Sequence, residues 1–70
     1  MNTELIGTLA GNVWVALNEA NTLGVKQLKK MSKAKNEKEL FAALGWLARE
    51  GKVSFTESED GKEILVSLVD

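Results

Sequence analysis

Seventy residues without cysteine or histidine are expected to make a single domain spanning residues 1–70, with a core limited by chain length and no disulfide to staple it. The longest unbroken apolar run, Val13 to Leu17, is far short of the ~20 residues that cross a bilayer, which excludes a membrane span. The net charge of −1 is unevenly spread: Met1 to Leu23 carries only Glu4 and Glu19, Gly24 to Lys38 carries six lysines against Glu37, and Glu39 to Asp70 carries seven acids against Arg49, Lys52 and Lys62.

Met1-Asn2-Thr3-Glu4 lacks the basic start and apolar run of a secretory signal, so the expected location is the cytoplasm. A first helix is predicted from Thr3, read as its N-cap, to about Asn18, with Ile6, Ala10, Val13 and Leu17 on the core face and Leu9 and Trp14 at its margins. Gly7 and Gly11 lie one turn apart beside Trp14. Each is unfavourable by ~1 kcal/mol relative to alanine inside a helix, and the pair implies close approach of another element, either this chain's own hairpin or third helix or a partner. Glu19 to Gly24 breaks the period and forms a connector with room for a very short strand near Leu23. Val25, Leu28 and Met31 mark a second helix to about Lys33, and its wheel gathers Lys26, Lys29, Lys30 and Lys33 into one arc. That arc suits phosphate contact or simple solvation.

Ser32 to Lys35 is a polar turn leading to Asn36, an N-cap with Glu39 placed for a capping box. Leu40, Phe41, Leu44, Leu47 and Ala48 then form the expected core stripe of a third helix that Gly51 ends. Beyond it the period changes to two. Val53 to Thr56 is answered by Ile64 to Leu68 across Asp60-Gly61, a dipeptide that favours a two-residue type I′ turn, and the register that pairs Phe55 with Val66 puts Val53, Phe55, Ile64, Val66 and Leu68 on one face.

This order, with Leu40, Leu44 and Leu47 followed by Arg49-Glu50-Gly51-Lys52-Val53, resembles the winged helix-turn-helix superfamily over essentially the whole chain. Gly11-Asn12-Val13-Trp14, Val25 to Lys30 and Ala43 to Lys52 resemble, more narrowly, small bacterial winged-helix proteins of unassigned function. The resemblance implies an α+β fold of three helices followed by a two-stranded antiparallel wing. It also implies a third helix entering the DNA major groove, with the second helix and the wing at the backbone. On that basis Lys26, Lys29, Lys30, Lys33 and Lys35 are expected at phosphates, with Asn36 and Lys38 nearest the bases.

Two features depart from that pattern. The outward face of the third helix, read as Lys38, Glu39, Ala42, Gly45, Trp46 and Arg49, has few side chains that read base edges, and the wing tip sets Glu57, Glu59, Asp60 and Glu63 against only Lys62. The competing expectation is therefore a protein-interaction module that uses the apolar third-helix face and wing. Its candidate contact residues are Gly7, Gly11, Trp14, Ala42, Trp46, Leu65 and Val69, with Trp46 either tucked near Leu65 or buried in a partner and a homodimer as the simplest assembly. Neither reading calls for an enzyme: no catalytic motif, metal-ligand pattern or cofactor loop is present, and no small-molecule ligand is implied.

Overall fold

In the computed structural model, which describes residues 1–69, the chain opens on α1 (Thr3–Ala20). Its N-cap is Asn2 rather than Thr3, because Asn2 Oδ1 accepts the Leu5 backbone N–H at 2.8 Å. The helix also runs two residues past the expected Asn18, ending where Asn21 takes a positive φ of 70° and donates its N–H to the Leu17 carbonyl. Leu9, Ala10, Val13, Ala16 and Leu17 are buried, while Ile6 is half-buried and Trp14 is exposed. Leu9 is thus a core residue and not a marginal one.

The expected short strand is β1 (Thr22–Gly24), followed directly by α2 (Val25–Ser32) and, after a turn, α3 (Glu37–Arg49). The inward positions of α2 are Val25, Leu28 and Ser32, so Met31 lies outside the core, 40% exposed. Lys33 leaves the helix in the left-handed region at φ 65°. Asn36 Oδ1 accepts the Glu39 N–H at 3.0 Å as predicted, but the Glu39 carboxylate reaches back to the N–H of Lys35 instead of Asn36. Leu40, Ala43, Leu44 and Leu47 face the core, and Phe41 and Ala48, expected in the stripe, are exposed. Gly51, at φ 72°, donates to Ala48 and Lys52 donates to Leu47, the two bonds of a Schellman ending.

β2 (Val53–Glu57) and β3 (Ile64–Leu68) pair antiparallel in the predicted register, with Val53 opposite Leu68, Phe55 opposite Val66 and Glu57 opposite Ile64. β1 joins the other edge of β3, giving the order β1-β3-β2. The connection is not a two-residue type I′ turn. That turn needs positive φ at both central residues, and only Gly61 has it; Gly61 donates to the Ser58 carbonyl within a four-residue loop closed by Ser58 N–H to Glu63 at 2.9 Å. The fold is an α+β winged helix, its core built from α1, α2, α3 and the inner sheet face. Among the described residues, no helix is long and apolar enough to cross a membrane.

Candidate nucleic-acid interface

Helix α2 turns Val25 and Leu28 inward, and this orientation sends Lys26, Lys29 and Lys30 to one side of it. The three line a single open hollow whose floor is Val25 and Ala34 and whose far wall is Glu37, the first residue of α3. Lys33 is not among them. Its left-handed cap swings it into the hollow between α1 and α2, beside Val15, Glu19 and Met31, so the arc of four lysines expected from the wheel is an arc of three. Lys35 and Lys38 are exposed on the α2–α3 turn and the first turn of α3. Asn36 is held by capping through its Oδ1, and its amide N–H groups take no part in that bond.

Lys26 also lines a second hollow against the loop that ends the wing, among Ser58, Asp60, Lys62 and Glu63. The Glu63 carboxylate lies so close over Gly24 that a Cβ there would overlap its Oε1, which sets a negative charge at the amino end of α2, where the helix dipole favours one. The Ser58 hydroxyl and then the Lys62 backbone N–H donate to the Asp60 carboxylate and hold its pKa below the ordinary aspartate value. The wing tip is an ordered acidic loop.

The winged helix-turn-helix domain family DUF2582 matches residues 1–68. The chain belongs to that family. A search of the curated proteins finds no match. In this winged helix the space between α3 and the wing is largely apolar: Phe41 from α3 lines one hollow with Phe55 and Ile64 from the sheet, with Thr56 and Glu57 at the rim. Phe41 is 41% exposed, Phe55 45% and Ile64 40%. Sequence periodicity put all three on core-facing surfaces; Phe55 and Ile64 do lie on the inner sheet face with Val53 and Val66, whereas Phe41 is turned out of the α3 core stripe toward the wing. The core simply ends before reaching them.

The residues expected at a protein interface are only partly brought together. Gly7, Gly11 and Trp14 of α1 share one groove with Trp46, Leu47 and Lys52, about 300 Å³ in volume. Both tryptophans remain 40% exposed. A Cβ built on Gly7 or Gly11 meets nothing within 4 Å, so neither the hairpin nor α3 makes the close approach that the glycines implied. Trp46 faces α1 across this groove; Leu65 sits on the sheet's outer face, in register with Gly24 and Thr56, so the expected tuck of Trp46 beneath Leu65 does not form. Ala42 is half-buried one turn before Trp46, and Val69 is exposed beyond β3, where its N–H bonds Lys52.

One linkage had no counterpart in the sequence reading. Asn12 Nδ2 donates to the Ser32 carbonyl at 3.0 Å, fixing α1 to the end of α2, while Ser32 itself is fully buried. A polar residue at an inward helical position, Ser32 four beyond Leu28, was the available signal.

Proposed function

We propose that the protein is a small non-enzymatic DNA-binding domain of the kind used in transcription regulation, holding the phosphate backbone through Lys26, Lys29 and Lys30. The observation that carries this reading is the convergence of those three side chains on one hollow of α2, the helix that approaches the backbone in winged-helix proteins. An ammonium on a flexible stem suits phosphate, a point-charge partner, and Lys35 and Lys38 extend the positive strip across the turn. Labelled DNA titrated at low and at moderate salt tests it. Binding that falls steeply as salt rises supports the reading, and absence of binding at the lowest salt removes it.

A second reading, self-association, is favoured by the groove between α1 and α3. Gly7 and Trp14 are seven residues apart, two helical turns, and therefore on one face of α1, so two antiparallel copies of α1 can seat each Trp14 in the other's Gly7–Gly11 notch. Between Glu4 and Glu19 that helix has no charged residue, so the middle of a two-fold contact there is uncharged. Sedimentation over a wide concentration range, with Trp14→Ala and Trp46→Ala beside the wild type, decides it: a strictly monomeric wild type ends the dimer reading.

A further inference from the structure

Three surfaces lie between α2, α3 and the wing: the lysine hollow shares Lys26 with the wing-tip hollow, and the wing strands that bear the tip also bear Phe55 and Ile64, which line a third space with Phe41. Across them the charge is sorted. Lysines border one hollow, acids hold the wing tip beside Lys26, and neutral rings fill the space between α3 and the wing strands. A duplex docked in the usual winged-helix manner brings a rigid pair of phosphate strands past lysines and acids at once, so the backbone that meets the lysines is accompanied by one that meets Glu59 and Asp60. A rigid duplex also offers base edges to α3, whose outward side presents Lys38, Phe41, Gly45 and Arg49 and is poor in the paired donors and acceptors that read them.

A single strand escapes both difficulties. Its one backbone can follow Lys30 and Lys29, which stand clear of the wing-tip hollow, while its bases turn away from the phosphates and into the space between α3 and the wing. There Phe41 and Phe55 present ring surface that the core leaves uncovered, Ile64 adds an apolar floor, and the volume of about 320 Å³ is ample for a nucleobase. Glu57 at the rim sharpens the selection, because it repels a phosphate and leaves an uncharged base as the part that enters. We infer that the cleft formed by Phe41, Phe55 and Ile64 is a stacking site for unpaired bases, and that single-stranded DNA is the preferred form of the ligand whose phosphates the α2 lysines hold. This rests on the DNA-binding reading above and narrows it to one class of strand.

The test titrates the full chain, at low salt, with a fluorescein-labelled 20-mer of thymidines and with a blunt 20-base-pair duplex, then repeats both with Phe41→Ala, Phe55→Ala and the control Val15→Ala. Thermal melts first establish that each variant is folded, which the partial exposure of both phenylalanines favours. Stacking on one aromatic side chain predicts a loss of about tenfold in single-strand affinity for each phenylalanine variant, with duplex binding and the Val15→Ala variant unchanged. A second readout needs no variant: on adding the 20-mer, the ring resonances of Phe41 and Phe55 shift upfield. Binding of the duplex as tight as, or tighter than, the 20-mer, or unshifted rings in the bound state, overturns the stacking site and leaves the lysine reading standing. Failure of both oligonucleotides to bind at the lowest salt overturns the two together.

Discussion

Asn12 and Ser32 are joined by a side-chain amide donating to a backbone carbonyl at 3.0 Å, and this bond spans from the middle of α1 to the last residue of α2. The carbonyl is one of those that a helix leaves without an internal partner at its carboxyl end. With Ser32 fully buried, water is a poor substitute for the Asn12 donor. Asn12→Ala is therefore expected to lower the unfolding free energy by about 1–2 kcal/mol, measured by urea melts, even though Asn12 lies on the exposed side of α1. An unchanged midpoint would show that solvent satisfies the carbonyl.

Gly7 and Gly11 give a prediction whose sign depends on what fills the groove. Both are helical and a methyl group at either meets only open space, so Gly7→Ala and Gly11→Ala are each expected to stabilise the dilute monomer by about 1 kcal/mol. If a second copy seats its Trp14 in the notch, the same substitutions weaken self-association. Chemical melts at low concentration and sedimentation at high concentration separate the two effects. Stabilisation without any change in association would detach the glycines from the dimer.

Gly51 is different in kind, because its φ of 72° is what ends α3 and redirects the chain into β2. An alanine there retains both Schellman bonds only in a strained conformation, so Gly51→Ala is expected to destabilise by about 1 kcal/mol, and Gly51→Asn by less. Ranking the midpoints of the two variants checks it; equal losses would contradict a φ-based cause.

The Glu57–Ile64 register was legible in the sequence because one parity of the hairpin is apolar, and a slip by one residue would turn Val53 and Val66 out to water. Turn chemistry was less legible. Asp60-Gly61 signals a tight turn, but the Ser58 hydroxyl and Asp60 carboxylate organise a wider one through bonds that need the loop already folded. Phe41 was misplaced for a tertiary reason: Ala43 is small enough to let α1 come close, which rotates the α3 core toward Ala43 and Leu47 and leaves Phe41 on the wing side. Lys33 left its arc because a non-glycine residue took the left-handed cap, which the composition of the turn did not announce. The lysine trio followed from helical spacing alone, whereas the joining of the Gly7–Gly11 notch to Trp46 required the packing of two helices that are distant in sequence.

The wing tip should respond to acid in a defined direction. Asp60 has a folded-state pKa below its unfolded value, first because of the Ser58 hydroxyl and then the Lys62 N–H, so its stabilising contribution is complete above the unfolded pKa and is lost as pH falls through the folded one. The expected loosening is therefore confined to pH below about 4. The protection of the Lys62 and Glu63 amides against exchange, relative to the intrinsic rate at each pH, should fall there in the wild type. Asp60→Asn keeps an acceptor at the same position and should remove the acid dependence; an acid response that persists in this variant assigns it to another carboxylate.

The lysines supply the most discriminating prediction, because the sequence places four on one arc and the structure keeps three. Lys26, Lys29 and Lys30 border one hollow of α2, while Lys33 lies beside Val15 and Met31 on the far side of that helix. If DNA is held by charge at this hollow, each of Lys26→Ala, Lys29→Ala and Lys30→Ala should weaken binding and lower the slope of log affinity against log salt by ~1, since each removes a released counterion. Lys33→Ala changes the net charge by the same amount from the wrong place. It should leave both affinity and slope nearly unchanged, apart from a long-range term that vanishes beyond the Debye length of ~10 Å at 0.1 M salt. The measurement is a titration of labelled DNA between about 50 and about 200 mM salt for the four variants and the wild type. A loss with Lys33→Ala equal to that with Lys29→Ala would mean that the strand senses diffuse positive charge, and the hollow on α2 would then have no claim to be the contact surface.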